Sequence, residues 1–188
     1  MTPFAGRFLV AFAFLQTFST LGLEVKEGRG LAEFHYGLIL GLNGVLIVLF
    51  ELPLSMWIRR YSQRHMIVLG YCLIGAGFAC FAVAEGIAPL VAGMVIMTVG
   101  EMIALPVCMA HVSVMAPESM RGRYMGVWGF SWSFAMVLAT SGGLALYGAI
   151  GSSFWIVVAA LSLLGAAIMS VNAEQVPPAA VPKRARGE

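Results

Sequence analysis

Six apolar runs occupy nearly the whole sequence, and they constrain the fold more than any other feature. Each has about 20 residues, the length of helix that crosses the ~30 Å hydrocarbon core of a bilayer. Because 60% of the 188 residues are hydrophobic and 11% are charged, no soluble domain of this size could bury the apolar surface. We therefore predict an all-α membrane protein with six transmembrane helices. The runs are Phe8–Leu23, Tyr36–Ile58, Met66–Ala84, Ala88–Val112, Tyr124–Tyr147 and Ser153–Val171.

Basic residues are distributed unevenly between the segments that connect these runs. Nine of the eleven Lys and Arg residues fall on the side of the N-terminus. Because cytoplasmic segments carry the excess of positive charge, we predict a multi-pass protein of the plasma (inner) membrane with both termini cytoplasmic. The nine are Arg7, Arg59, Arg60, Arg64, Arg121, Arg123, Lys183, Arg184 and Arg186, and the other two are Lys26 and Arg29.

The composition changes after Val171. Pro177 and Pro178 cannot continue a helix, and the basic run KRAR follows them. We predict a six-helix transmembrane bundle over 1–172 and a disordered, Pro-rich, basic cytoplasmic tail over 173–188. The tail either is attracted to anionic lipid or is solvated without a further role.

Glu101 lies at the centre of the fourth run, and Pro106 follows it by five residues. A carboxylate at bilayer depth costs ~3 kcal/mol on insertion scales, and a proline inside a helix removes one backbone hydrogen bond and kinks the helix. Both features are typical of a helix that borders a wet cavity. We predict that Glu101 is a proton or cation site, or the partner of a cationic substrate. A carboxyl that serves structure alone is the alternative.

Three further polar side chains lie inside the runs. Glu51 is eight residues before Arg59, which puts it ~12 Å into the membrane at helical rise, and Pro53 is predicted to kink the same helix. Glu51 either belongs to the substrate or proton site or forms a salt bridge with a loop arginine. Asn43, two turns earlier on much the same face, and Gln16 in the first run either line the site or form hydrogen bonds between helices.

Trp128 and Trp132 are four residues apart in the fifth run, so that they share one face of the helix. Such a row either lines a pocket for a lipophilic or cationic ligand or packs against helices and lipid. We include both indoles in the predicted substrate site.

Glycines recur at a close-packing spacing in two places, 37–41 and 122–126. Small residues four apart allow helix backbones to approach each other. The pattern is common in polytopic proteins and indicates packing rather than a function.

Two loops and two helical motifs together carry a resemblance to a known family. The loops read PLSMWIRRYSQRHMIVLG and APESMRGRYMG, and the helical motifs read NGVLIVLFELP and TVGEMIALP. Taken together in their chain order, the four motifs resemble the C-terminal half of a major facilitator superfamily transporter of the drug:proton antiporter-like branch. The resemblance implies one half of that fold, which consists of two inverted three-helix repeats.

The first loop is similar to the family's signature pattern G-x-x-x-D-R-x-G-R-R. Arg60 and Arg64 match basic positions, whereas Arg59 stands where the pattern has aspartate and Ser62 where it has the second glycine. The resemblance implies that both loops take part in gating. The residues concerned are Arg59, Arg60, Arg64, Arg121, Gly122 and Arg123.

The resemblance also implies a mechanism. The cavity would be lined by the first, second, fourth and fifth spans, and two six-helix halves would rock about a site at the midplane. We predict a secondary transporter, or the C-terminal half of one, that exports a small amphipathic compound in exchange for protons. The chain would be either a fragment of a twelve-helix parent or a half-transporter that pairs with a second copy or with a separate N-terminal half.

Other classes of function fit the residues less well. An intramembrane serine protease needs a histidine in a later helix than its serine, and no histidine follows His111. The sequence lacks a phosphate-binding glycine loop and a His/Cys metal cluster, so that we expect no enzyme activity, cofactor, metal or nucleic-acid partner. A degenerate, non-transporting remnant or scaffold subunit is the alternative to a transporter.

Overall fold

The computed structural model describes residues 2–83 and 85–171, and these residues form helices joined by turns, with no strand among them. The predicted all-α class is confirmed, whereas the predicted tail over 173–188 lies outside the described residues. The helices are α1 (Thr2–Ser19), α2 (Leu21–Leu23), α3 (Glu33–Ile58), α4 (Gln63–Ala82), α5 (Ile87–Met115), α6 (Arg121–Leu138), α7 (Leu144–Ile150) and α8 (Phe154–Val171). Glu24–Gly28 and Ala139–Gly143 are π-helical, and Glu118–Met120 and Gly151–Ser153 are 3-10 turns.

The described residues contain four helical stretches long and apolar enough to cross a membrane, or five if the bent first helix is one span. In that first helix, α1 meets the segment Leu21–Gly28 at an angle of 42°. The helix therefore continues past its predicted end at Leu23. One of the four stretches has 51 residues and extends from α6 to the end of α8.

This long stretch turns back on itself at Gly151, whose φ is +59°, a conformation that glycine adopts without steric cost. Phe8 of α1 stacks on Phe134 of α6 with ring centroids 5.9 Å apart. Gly6, also on α1, lies against Gly165 of α8. Residues on both sides of the turn therefore meet the same end of α1, so that the stretch forms two antiparallel spans and the described chain has the six predicted ones.

The helix contacts repeat between the first three spans and the last three. α1 packs against α6 and α8, α5 packs in the same way against α3 and α4, and α4 packs against α8. Let the first span correspond to the fourth, the second to the fifth and the third to the sixth. The contacts of α1 with α6 and α8 then correspond to those of α5 with α3 and α4, and the contact between α4 and α8 corresponds to itself. Because paired spans run in opposite directions, the contacts have the pattern of the predicted inverted repeat.

The core lies between α1, α4, α5 and α8. The Trp155 ring of α8 stacks on Phe78 at 5.8 Å and meets the edge of Phe81 at 5.2 Å. α4 and α5 approach closely because glycines face each other. A Cβ added to Gly77 would lie 2.6 Å from the carbonyl oxygen of Gly93, and one added to Gly93 would lie 2.7 Å from that of Gly77.

α3 is much less covered than its neighbours. Only 11% of its most apolar window is buried, against 50% for the windows of α4 and α5. The glycines at 37–41 and 122–126 face open space. The predicted backbone approach at these glycines therefore does not occur within the described chain. The glycine spacing allows another helix to come close, but it does not determine whether a helix lies on that side.

Candidate functional site

Glu101 is the central residue of α5, and its carboxylate accepts a hydrogen bond from α3. Asn43 Nδ2 donates to Glu101 Oε2 at 2.9 Å and to Thr98 Oγ1 at 2.9 Å. Thr98 Oγ1 donates in turn to the carbonyl oxygen of Met94 at 2.7 Å. Asn43 and Thr98 are buried, so that the amide joins two helices away from solvent.

Helical spacing explains why these side chains meet. Thr98 and Glu101 are three residues apart on α5, and residues three or four apart lie on the same face of a helix. Asn43 enters between them from α3 and satisfies both oxygens. Sequence reasoning identified Glu101 and Asn43 separately but missed Thr98, although its spacing from Glu101 was a usable signal.

An open cavity of about 620 Å³ lies beside this site, between α3, α5 and α6. Four of the predicted residues line it: Glu51, Pro106, Trp128 and Trp132. The two indoles have ring centroids 6.3 Å apart, and Met109 also belongs to the lining. The cavity therefore combines one carboxyl with aromatic and thioether surface, a lining that suits an amphipathic ligand.

Gln16 does not line that cavity among the described residues. Its side chain is fully buried, and its Oε1 accepts hydrogen bonds from Thr20 Oγ1 at 2.7 Å and Ser19 Oγ at 3.1 Å. The amide also lies against Gly143 in the π-helical turn of the fifth span. These hydrogen bonds join Gln16 to residues within four positions of it, so that among the described contacts Gln16 packs against the fifth span but forms neither the predicted cavity lining nor the predicted hydrogen bond between helices.

The loop residues are divided between exposed and bonded positions. Arg59 and Arg60 are exposed at the end of α3. Arg64 donates to the carbonyl oxygen of Ser170, which joins the start of α4 to the end of α8. Arg121, Gly122 and Arg123 begin α6 and are exposed.

Pro53 and Pro106 lie inside α3 and α5, which continue through them.

A second buried polar cluster lies at the opposite end of the bundle. Glu24 is fully buried and pairs with Arg29, with Nε and Oε1 2.6 Å apart. Ser152 Oγ reaches both carboxylate oxygens at 3.0 and 3.1 Å, and Arg29 Nη2 donates to the carbonyl oxygen of Phe81 at 3.0 Å. Sequence reasoning counted Arg29 only among the basic residues of the connecting segments and missed this cluster.

The part of the chain that the structure describes contains no group of three or more His, Cys, Asp or Glu residues placed to hold a metal ion. Its cysteines are free thiols at Cys72, Cys80 and Cys108. The chemistry that these residues offer is therefore proton exchange at carboxyls and non-covalent binding in the cavity.

Comparisons with known sequences point to one family. The family described as Major Facilitator Superfamily has a sequence model that matches residues 4–188. The chain is 28% identical over 134 residues to the uncharacterised MFS-type transporter YqjV of Bacillus subtilis (strain 168), which covers 69% of this chain and 32% of YqjV. It is 25% identical over 169 residues to the inner membrane transport protein YajR of Escherichia coli (strain K12), with 89% and 36% covered.

A third relative is the Na(+), Li(+), K(+)/H(+) antiporter of Planococcus maritimus, 22% identical over 114 residues, with 61% of this chain and 27% of the antiporter covered. Among solved structures, the crystal structure of a POT family transporter in complex with 5-aminolevulinic acid superposes with a TM-score of 0.74 at 18% identity. The match covers 94% of this chain and 41% of that one. The chain thus spans about a third of the length of these curated relatives.

Proposed function

Because this chain belongs to the Major Facilitator Superfamily, we propose that it is one half of a secondary transporter that exports a small amphipathic compound in exchange for protons. The hydrogen bond of 2.9 Å between Asn43 and Glu101 carries the proposal. An ionisable carboxyl at the centre of one helix, held by an amide of a helix packed against it, is suited to be a proton site whose occupancy acts on a contact between helices.

The charge on Glu101 would set the strength of that contact. A hydrogen bond from an amide to an ionised carboxylate is roughly twice as strong as one to a neutral group. Deprotonated Glu101 therefore holds Asn43 and α3 firmly, and protonation weakens the hold. A proton then biases the position of α3 relative to α5, which is what a coupled carrier requires of its ion site.

The substrate would bind in the open cavity beside this pair. Trp128 and Trp132 offer aromatic faces to an apolar or cationic group, and Glu51 of α3 offers a carboxyl group to the same cavity. Because Glu51 and Asn43 belong to α3, a change in the position of α3 alters the cavity. Proton binding and substrate binding are thereby coupled through one helix.

A complete carrier would need a partner. The chain spans 41% of the POT family transporter that it resembles, and α3 is largely uncovered. We propose that a separate N-terminal half or a second copy covers this side. We further place the protein in the plasma (inner) membrane with both termini cytoplasmic, since nine of eleven basic residues fall on that side.

Reconstituted liposomes test the proposal. The chain would be inserted at a density that allows copies to associate, a pH gradient would be imposed, and uptake of the fluorescent amphipathic cation ethidium would be followed. We expect gradient-driven uptake by the natural sequence and a loss of at least about tenfold in Glu101→Gln, which corresponds to 1.4 kcal/mol in the barrier.

Glu33→Gln is the matched control, because Glu33 is exposed at the start of α3 and bonds only to Lys26 among the described residues. It should transport at the natural rate. Uptake by Glu101→Gln at the natural rate would contradict the assignment of the proton site. No uptake by the natural sequence would mean that copies of this chain alone do not transport ethidium.

A further inference from the structure

A second cavity lies at the loop end of α3, and it shares Pro106 in its lining with the proposed substrate cavity. It has a volume of about 340 Å³ and is enclosed by the end of α3, the α3–α4 loop, the start of α4 and the segment of α5 around Pro106. Volumes of 300–1,000 Å³ are typical of pockets for small ligands. The proposed transport mechanism makes no use of this cavity.

The lining of this cavity is divided by polarity. Ser55, Arg59 and Tyr61 supply hydroxyl and guanidinium groups. Ile58, Met66 and Val107 supply apolar surface, and Ile58 and Met66 are buried. A ligand that fills the cavity must therefore carry a polar group joined to hydrocarbon.

The charge of the surrounding loop is positive only. Residues 53–66 include three arginines and no Asp or Glu. Arg64 is bonded to the carbonyl oxygen of Ser170, whereas the Arg59 side chain borders the cavity. The polar group of the ligand is therefore an anion, and Arg59 is the cation placed to receive it.

Aromatic rings put this cavity at the level of lipid headgroups. Trp57 and Tyr61 have ring centroids 4.9 Å apart and are 49% and 46% exposed. Tryptophan and tyrosine are enriched where the hydrocarbon meets the polar layer of a bilayer. Exposed Leu52 and Met56 continue the apolar surface of α3 toward the membrane centre.

We propose that this cavity binds the headgroup of an anionic phospholipid, with the phosphate on Arg59 and the start of an acyl chain on Ile58 and Val107. Basic pockets between helices at a membrane surface bind such headgroups. A free phosphate ester would leave the apolar part of the cavity unfilled, so that the lipid is the better fit. The inference does not depend on Glu101 or on transport.

Native mass spectrometry of the full chain in detergent tests the inference. Dihexanoyl-phosphatidylglycerol would be titrated against dihexanoyl-phosphatidylcholine, with sodium phosphate as a soluble competitor at constant ionic strength. We expect the natural sequence to bind the phosphatidylglycerol selectively. Arg59→Gln should weaken this binding at least about tenfold, the effect of losing a charged hydrogen bond.

Arg60→Gln is the matched control, because Arg60 is exposed in the same loop and does not line the cavity. It should lose at most about fivefold, the effect of one charge near an anionic surface. Val107→Trp, which fills the apolar part without changing the charge, should abolish selective binding. Since Arg59 is exposed, Arg59→Gln remains informative even if the tryptophan variant does not fold.

Three results would overturn the inference. Equal losses in Arg59→Gln and Arg60→Gln would mean diffuse attraction to anionic surfaces. Equal binding of the phosphatidylcholine, whose phosphate is balanced by a choline cation, would mean that the site does not select a headgroup of net negative charge. Competition by inorganic phosphate as strong as that of the lipid would mean a site for soluble phosphate compounds.

Discussion

The side-chain amide of Asn43 can form hydrogen bonds with both Thr98 and Glu101 in one orientation only. Because the Thr98 hydroxyl donates to the carbonyl oxygen of Met94, the lone pairs of its oxygen face Asn43, and Glu101 likewise presents an acceptor. Only the NH₂ group can face both oxygens. Thr98 thereby fixes the orientation of the amide, and the amide fixes the carboxylate, so that Thr98 acts as a positioning residue for Glu101.

Asn43→Ala should lower the free energy of unfolding by about 2 kcal/mol, because it leaves the half-buried carboxylate of Glu101 without its donor. Thermal unfolding in detergent measures this loss. Ser141→Ala is the control, since the exposed Ser141 hydroxyl bonds only to the carbonyl oxygen of Val137 among the described residues. If the losses in Asn43→Ala and Glu101→Ala add in the double variant to within about 0.5 kcal/mol, the two side chains are not coupled.

Glu24→Gln should cost about 3 kcal/mol of unfolding free energy, because it leaves the Arg29 guanidinium without its buried partner. The side chains of Glu24 and Arg29 are 0% and 15% exposed, so that solvent screens the pair little. Denaturation in detergent measures the loss. Glu27→Gln, at an exposed position in the same turn, should change the stability by less than about 0.5 kcal/mol. Equal stabilities of the two variants would show that the buried pair contributes nothing.

The sequence identifies a polar residue at membrane depth more readily than its partner. Glu101 and Asn43 were found because each interrupts an apolar run, but their contact spans 58 positions of chain, and no local pattern encodes it. Glu24 was missed for the same reason: it lies just after the end of a run, and only the fold brings Ser152, 128 positions away, to its carboxylate.

At the scale of elements, the closest helix contact depends on glycines that the spacing rule did not select. The 37–41 and 122–126 motifs face open space, whereas Gly70 and Gly77 of α4 meet Gly100 and Gly93 of α5. On each helix the two glycines are seven positions apart. A spacing of seven returns to nearly the same helix face. The interface could therefore have been predicted only by comparing two helices rather than scanning one.

Gly77→Ala should destabilise the protein by about 1–3 kcal/mol, because its methyl group would meet the backbone carbonyl of Gly93, which cannot rotate away. Gly41→Ala is the control, since open space surrounds Gly41; this change should be neutral or stabilising by up to about 1 kcal/mol. Thermal unfolding in detergent compares the two. A neutral Gly77→Ala would mean that α4 and α5 separate without cost.

The helices of the whole molecule are covered by their neighbours to very different extents, although the pattern of contacts between helices repeats. α4 and α8 are packed on each other, but much of α3 faces outward, including Val48 at 82% exposure. The six spans and their inverted repeat could be predicted, because apolar length and family motifs encode them. The faces that remain open could not be predicted, because lipid-facing and partner-facing surfaces are both apolar in sequence.

If the chain is expressed alone, a second copy should cover α3, because Glu51 on that helix would otherwise border lipid, at a cost of ~3 kcal/mol for a charge at depth. Cysteine crosslinking detects this. In a background with Cys72, Cys80 and Cys108 changed to alanine, Val48→Cys should give mostly crosslinked dimer in membranes. Leu163→Cys on α8, where the leucine is 49% exposed, should give little crosslinked dimer, because the apolar surface around it can face lipid without cost. Equal crosslinking at both positions would mean random encounters, and α3 would then lack a specific partner in the form expressed alone.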